Sequence, residues 1–211
     1  MVAHVAYKAA LPPTGQAGFR SPPRAGTLGR MVAWRFHSGR LCLDLMAEPP
    51  SDAGRLAQWL HTAGLVPAGT PLDAVDGHWV ERFAELAGDI DGLVRDELAG
   101  HGRYAGPRLD HLNALAAAPP PAPRAVPGEE GRLVRALAAP PGCGALLAVV
   151  ARDAVELLTD PATRAQLRQC EGERCRRVYL DTSRGRRRRW CSSEMCGNRE
   201  RVARHRARTH G

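Results

Sequence analysis

Four cysteines near the C-terminal end constrain this chain more than any other feature. They lie in the stretch CEGERCRRVYLDTSRGRRRRWCSSEMCGNR, as Cys170-x4-Cys175 and Cys191-x4-Cys196, with fifteen residues between the two pairs. Two close pairs separated by a hairpin-sized spacer are the sequence form of a four-cysteine zinc site. Zn2+ takes soft ligands in a tetrahedron, and each close pair can supply two thiolates from one turn. The competing reading is four unconnected or disulfide-bonded cysteines. No run of about eighteen apolar residues is present, and the opening MVAHVAYKAALPPTG lacks the apolar core of a signal peptide. The expected compartment is therefore the reducing cytoplasm, which disfavours disulfides. Cys42 and Cys143 lie in apolar contexts far from the quartet and read as small buried hydrophobes.

Charge follows the cysteines. The chain carries 30 Lys and Arg against 22 Asp and Glu, a formal +8. Residues 170–211 hold 13 Arg and 5 acids, so the whole excess sits in the last 42 residues, and residues 1–169 balance at 17 of each sign. Only one of the 30 cations is Lys, which points to a GC-rich genome and makes Arg number alone weak evidence. A codon bias would spread the charge evenly, however, and here it is concentrated. One zinc with four thiolates adds a net charge of about −2 and leaves the tail basic. Nucleic acid is the expected partner of such a surface.

Upstream, the chain reads as an α+β protein with a mainly helical body and a small β component. Residues 1–30, rich in Gly and Pro, read as a disordered extension. The body spans 31–165 and the finger 166–211; Met31 could equally be a start. VAWRFHSGRLCLDLM alternates around Ser-Gly and predicts one or two short strands, Leu41 to Met46 being the clearer. Ser51 or Asp52 caps a helix that buries Leu56, Trp59, Leu60 and Ala63 and ends near Gly64. A longer helix over 73–99 places Val80, Phe83, Ala87, Ile90, Val94 and Leu98 on one face, and a third covers 107–118. Ala118 to Gly142 predicts a hairpin turning at Gly-Glu-Glu-Gly. A buried helix follows over 143–158, and Asp160-Pro161 starts a short helix that feeds into Cys170.

Within the finger, RRVYLD predicts a strand, TSRGRR a turn around Gly185, and RRW the return strand. After Cys196 the composition is helical. Knuckle, hairpin, then helix is the order of a treble-clef-like zinc finger. Arg186, Arg187, Arg188 and Arg189 lie on the turn and return strand, and strand alternation would separate Arg187 and Arg189 from Arg186 and Arg188. Arg199, Arg201, Arg204 and Arg208 lie on the helix, where Arg201, Arg204 and Arg208 share one face. These arginines are the candidate phosphate contacts, and Asn198 or Arg199 the candidate base reader. Some must instead neutralise the zinc–thiolate centre or pair with Asp181, Glu194 and Glu200. Trp190, Val178 and Tyr179 read as the finger's own small core. Gly197 is expected to let the backbone approach the metal with its amides aimed at sulfur.

RRWCSSEMCGNRERVARHRAR, with CEGERCRRVYLDTSR before it, resembles the CGNR zinc finger family, whose name is the tetrapeptide Cys196-Gly197-Asn198-Arg199. The body from about residue 32 to 165 resembles the ABATE-type domain that usually precedes that finger, through FHSGRLCLDLM and the helix order. Members often continue this segment with Asn-Thr; Ala47 and Glu48 stand there in this chain. The resemblance implies a stress-induced transcription regulator whose finger binds Zn2+ and DNA.

No HExxH, Gly-rich phosphate loop or GxSxG occurs, and the eight His belong to no partnered motif. A zinc site built from four cysteines is closed to water. The expectation is a DNA-binding regulator that is not an enzyme, with a body that dimerises or takes a small-molecule effector. An RNA-binding finger and a zinc-stabilised protein-interaction module are the two alternatives.

Overall fold

A computed structural model describes residues 38–101 and 104–209. The expected N-terminal extension over 1–30, and any strand over 32–37, lie outside the described residues. The elements run α1 (Leu41–Ala47), α2 (Ala53–Thr62), α3 (Gly77–Leu98), α4 (Pro107–Ala117), β1 (Pro123–Pro127), β2 (Leu133–Leu137), α5 (Cys143–Thr159), α6 (Pro161–Arg164), β3 (Leu167–Gln169), β4 (Val178–Leu180) and α7 (Asn198–Thr209).

Helices α2 to α5 form for the reasons their periodicity predicts. The Asp52 carboxylate accepts from Arg55 N at 2.8 Å and caps α2. Gly64, at φ +71°, ends it, and Leu65 N reaches back to Leu60 O at 3.1 Å, a left-handed C-terminal cap. Asp76 caps α3 through Trp79 N, so α3 starts three to four residues later than its apolar pattern suggests. Phe83, Ala87, Ile90 and Val94 are buried as expected, joined by Trp79, Leu86 and Leu93. The α5 stripe Leu146, Leu147, Val150, Ala154 and Leu157 is fully buried. Trp59 meets Phe83 edge-on, ring centroids 6.1 Å apart, at the centre of this core. No helix among the described residues is long and apolar enough to cross a membrane.

The strand expected over Leu41–Met46 is a helix. Cys42, Leu43, Asp44, Leu45 and Met46 are all buried in succession, which one face of a strand cannot achieve. Asp44 is not an outward polar residue: its carboxylate accepts from Ser38 N at 3.1 Å. Asp153 on α5 accepts from Cys42 N at 2.8 Å and pairs with Arg40 at 2.9 Å, closing the exposed amides at the start of α1. Burial, with Asp153 beside it, pushes the Cys42 thiol well above its ordinary value, as suits a packed thiol.

Two small antiparallel sheets complete the fold. β1 and β2 pair in register, Val126 opposite Val134, and turn through Gly128 and Glu129–Gly131 as predicted. β3 and β4 pair with Leu167 opposite Leu180 and Gln169 opposite Val178. The short helix therefore does not run into Cys170; four residues of α6 give way to β3 first. β4 also has a different partner from the one expected. RRW forms no return strand, and the hairpin instead encloses Cys170 and Cys175 in its own loop.

Candidate metal centre and basic surface

The β3–β4 hairpin sets the site by period-two alternation. Val178 and Leu180 turn into the helical core beside Leu167, and Tyr179 between them turns to the cysteines. Val178 thus belongs to the body's core rather than the finger's. Leu180 N donates to Ser38 O at 2.8 Å, Asp181 N to Gln166 O at 2.8 Å, and Arg177 reaches Glu48 at 3.5 Å. Glu48 thereby ties the helical body to this segment.

Cys170 and Cys175 occupy the knuckle, closed by Cys170 N to Arg177 O and Cys175 N to Gly172 O, both 2.9 Å. Gly172 lies against the cluster: a Cβ on it would meet Cys175 Cβ at 3.4 Å and Cys170 Sγ at 3.6 Å. Cys191 and Cys196 come from the segment before α7. Ser192 caps a π-turn, Ser193–Gly197, by accepting from Met195 N at 3.2 Å, and this turn carries Cys196 inward. The four sulfur atoms lie within 4.8 Å of one another. Cys175 and Cys191 are 3.7 Å apart and Cys191 and Cys196 3.6 Å, too far for a disulfide and close to the edge of about 3.8 Å that a zinc–tetrathiolate tetrahedron with bonds of about 2.3 Å requires. All four are free thiols. The donor set fits a soft divalent cation.

Electrostatics support that fit. Burial pushes the Cys191 thiol well up and that of Cys196 to about 11. At Cys175 burial acts the same way but is outweighed by the Arg177 amide and the neighbouring thiols, and its value falls. A cation supplies the charge that burial otherwise withholds from the Cys191 and Cys196 thiolates. Cys191 N donates to Cys170 Sγ at 3.3 Å. The amide aimed at sulfur is this one. Gly197 N bonds Ser192 O at 3.0 Å instead, and a Cβ on Gly197 would lie in ordinary contact with the Trp190 ring, at 3.5 Å.

The arginines divide in a way that strand alternation does not describe. Without a return strand, the 182–190 segment is a loop held by side chains. Asp181 is buried and accepts from Ser183 N, Ser183 Oγ and Arg188 N at 3.0, 2.6 and 3.0 Å. The Ser183 bonds hold its carboxyl below the ordinary value. Arg188 points inward. Its Nε donates to Trp190 O at 2.8 Å, its Nη2 to Cys191 O, and its guanidinium lies 4.4 Å from the Tyr179 ring centroid. It braces the metal loop. Arg189 pairs with Glu171 at 2.6 Å and lies over Trp190 at 5.3 Å. Arg186, at φ +49°, and Arg187 are exposed, as is Arg184.

On α7, Asn198, Arg199, Arg201 and Arg208 are exposed; Arg204 lies on the same helix, its side chain outside the described set. Arg201 donates to Gly197 O at 3.3 Å and Ser193 O at 3.4 Å, bracing the π-turn. Arg199 and Arg206 line a groove against the knuckle together with Arg174, which sequence reasoning passed over because it lies between two cysteines. Of the expected acid partners, Asp181 bonds loop backbone, and Glu200 Oε1 accepts from Glu173 N at 3.2 Å, joining α7 to the knuckle.

No curated protein matches the chain. The CGNR zinc finger family matches residues 166–209, the segment that carries all four cysteines, the Arg188 strut and α7. The ABATE family, described as "Putative stress-induced transcription regulator", matches residues 39–161, which covers α1 to α5 and more than half of the chain. The chain belongs to the ABATE family and ends in a CGNR zinc finger.

Proposed function

We propose that this protein is a zinc-dependent, DNA-binding transcriptional regulator of the cytoplasm, with no catalytic activity. Zn2+ is held by Cys170, Cys175, Cys191 and Cys196 and acts as a structural ion. The observation that carries this reading is the convergence of four sulfur atoms within 4.8 Å directly beneath the arginine loop and α7. Neither basic element has an apolar core of its own. Structural zinc contributes about 10–16 kcal/mol of apparent binding free energy in small fingers, enough to order both. Arg184, Arg186 and Arg187 on the loop and Arg208 on α7 then meet backbone phosphates. The helical body carries the finger and receives the signal, a small-molecule effector being the simplest form of one.

Binding of the purified, zinc-loaded chain to duplex DNA and to RNA over a range of salt tests the reading. Neutralising about five phosphates gives a slope of log K against log salt near −4 to −5. Tighter binding to RNA than to duplex DNA would replace the regulator with an RNA-binding protein. Binding to neither would leave a protein-interaction module.

A further inference from the structure

No residue of strands β1 and β2 is buried. Leu133 is 73% exposed and Val134 48%, the two most exposed large apolar side chains among the described residues. Leu137 packs against the helical core and Arg135 Nη1 donates to Gly64 O at 3.4 Å, and these contacts moor the ribbon to the body. A two-stranded ribbon is marginal by itself in water; three or more strands with an apolar face are the usual minimum.

The two outer edges of the ribbon are unlike. Gly128 N donates to Arg132 O and Ala138 N to Ala122 O, so the hydrogen-bonded pairs fall on even-numbered residues, Arg124 with Ala136 and Val126 with Val134. The odd-numbered residues turn their backbone groups outward. On β1 these are Pro123, Ala125 and Pro127, and proline has no N–H, so that edge keeps one outward donor of three. On β2 they are Leu133, Arg135 and Leu137, each with its N–H and C=O, and no backbone group among the described residues bonds them from outside. One edge is blunted in the way that sheets avoid further pairing; the other is a template for it.

Such an edge takes an extended strand, and β2 itself is one that fits. Antiparallel self-pairing about a twofold axis depends on register. Centred on Arg135, it opposes two guanidinium side chains directly, a destabilising like-charge pair. Centred on Leu133, it draws Gly131, at φ +72°, into the ladder. Centred on Ala136, it carries Leu133 past the last strand residue of the other copy, Leu137. Centred on Val134, it sets Val134 against Val134 in a non-hydrogen-bonded pair, Cα atoms about 4.5 Å apart. Arg132 then faces Ala136, and Leu133 faces Arg135, each exchanging N–H and C=O with the other. That register opposes no like charges and lays Leu133 beside the aliphatic stem of Arg135. The ribbon is also close to neutral, with Arg124, Arg132 and Arg135 against Glu129 and Glu130, whereas the net +8 of the chain lies in the finger. Two copies meet here without the repulsion that two fingers would feel.

We infer that the outer edge of β2 is a homodimer interface, where two copies pair antiparallel with Val134 against Val134 on the twofold axis and join their two-stranded ribbons into one four-stranded sheet. This pairing stands apart from the nucleic-acid reading. One five-residue strand offers much less than a standard interface of about 1,600 Å², so the dimer is weak and reversible.

Sedimentation equilibrium of the full-length, zinc-loaded protein under reducing conditions, between about 1 μM and about 1 mM, tests it. The wild type should pass from monomer to dimer over that range. Val134→Glu and Val134→Lys each place like charges on the axis and should raise the dissociation constant about 10- to 100-fold, with circular dichroism and zinc content unchanged. An equimolar mixture of the two variants should associate again, because in this register residue 134 faces residue 134. Hydrogen exchange of the wild type gives a second readout. The Leu133 and Arg135 amides should gain protection as protein concentration rises, while the Val134 amide, paired with Val126 inside the ribbon, should be protected throughout. A wild type that stays monomeric at about 1 mM overturns the inference. So does a dimer that both single variants leave intact, or a mixture that associates no better than its components. Full protection of the Leu133 and Arg135 amides at the lowest concentration would assign the edge to another segment of the same chain, and overturns it too.

Discussion

The Tyr179 hydroxyl donates to the carbonyl of Arg188 at 2.6 Å, and the Arg188 guanidinium lies over the same ring, 4.4 Å from its centroid. Each residue therefore holds the other twice, once through backbone and once through side chain. Burial raises the Tyr179 hydroxyl to about 12, so it remains a donor throughout the neutral range. Tyr179→Phe removes the hydrogen bond alone and should cost about 1 kcal/mol of finger stability. Arg188→Lys keeps the charge but loses the planar fork that reaches both Trp190 O and Cys191 O. Its zinc should pass to a competing chelator faster than the wild type's, and its DNA affinity should fall although no charge is lost. Equal zinc-release rates for the two proteins would remove Arg188 from the strut role.

Chelation should separate the chain into a part that needs metal and a part that does not. Leu167, Val178 and Leu180 lie in the body's core and should stay docked. Among the described residues, the apolar cluster of the 181–209 segment consists of the four cysteines, Tyr179 and Trp190. Hydrogen exchange after metal removal should show lost protection in α7 and retained protection in α3 and α5. Cys175→Ser should reproduce this pattern and reduce zinc below one per chain.

Leu180→Ala tests the seam between body and finger. The side chain is 6% exposed and sits 3.4 Å from where a Cβ on Gly39 would lie. The loss of a buried leucine costs about 2–5 kcal/mol. Urea unfolding of the body should register it, although the residue lies inside the zinc finger segment. An unchanged body midpoint would show that the finger merely rests on its neighbour.

The Asp52 cap gives a pH-dependent contribution far from the metal. Its carboxyl lies below the ordinary value, chiefly because Arg55 N donates to it. A lowered folded-state value means that the stabilisation is present above the unfolded carboxyl's value, about 3.9, and fades as pH falls through the lowered one. The stability difference between wild type and Asp52→Ala should therefore be constant across neutral pH and close in acid. A difference that persists at the acid end would assign the effect to packing.

Helices α2 and α3 were legible because each joins a capping carboxylate, Asp52 or Asp76, to an apolar stripe, and α5 because its apolar stripe alone is long enough. The four cysteines were legible because their spacing is local. What misled was Asp44, whose alternation with Leu43 and Leu45 imitates a strand, while the structure buries it under the Ser38 amide. The finger's hairpin was assigned the wrong partner for a related reason. β3 and β4 are three residues each, too short for a periodic signal, and Leu167 precedes the first cysteine. The inward turn of Arg188 was invisible in a run of four identical residues, since only the fold decides which of them meets Tyr179.

The three-residue strand Val178–Leu180 also has a mechanical consequence. Its outer residues are anchored in one domain and its middle residue in the other. A tether would let the finger sample many orientations and approach a target from any of them. A shared strand denies it that freedom. Wherever the helical body is held, by a second copy or by a regulatory partner, the finger points in a direction already chosen, and the body acts as the arm of a gauge whose tip is set to one angle.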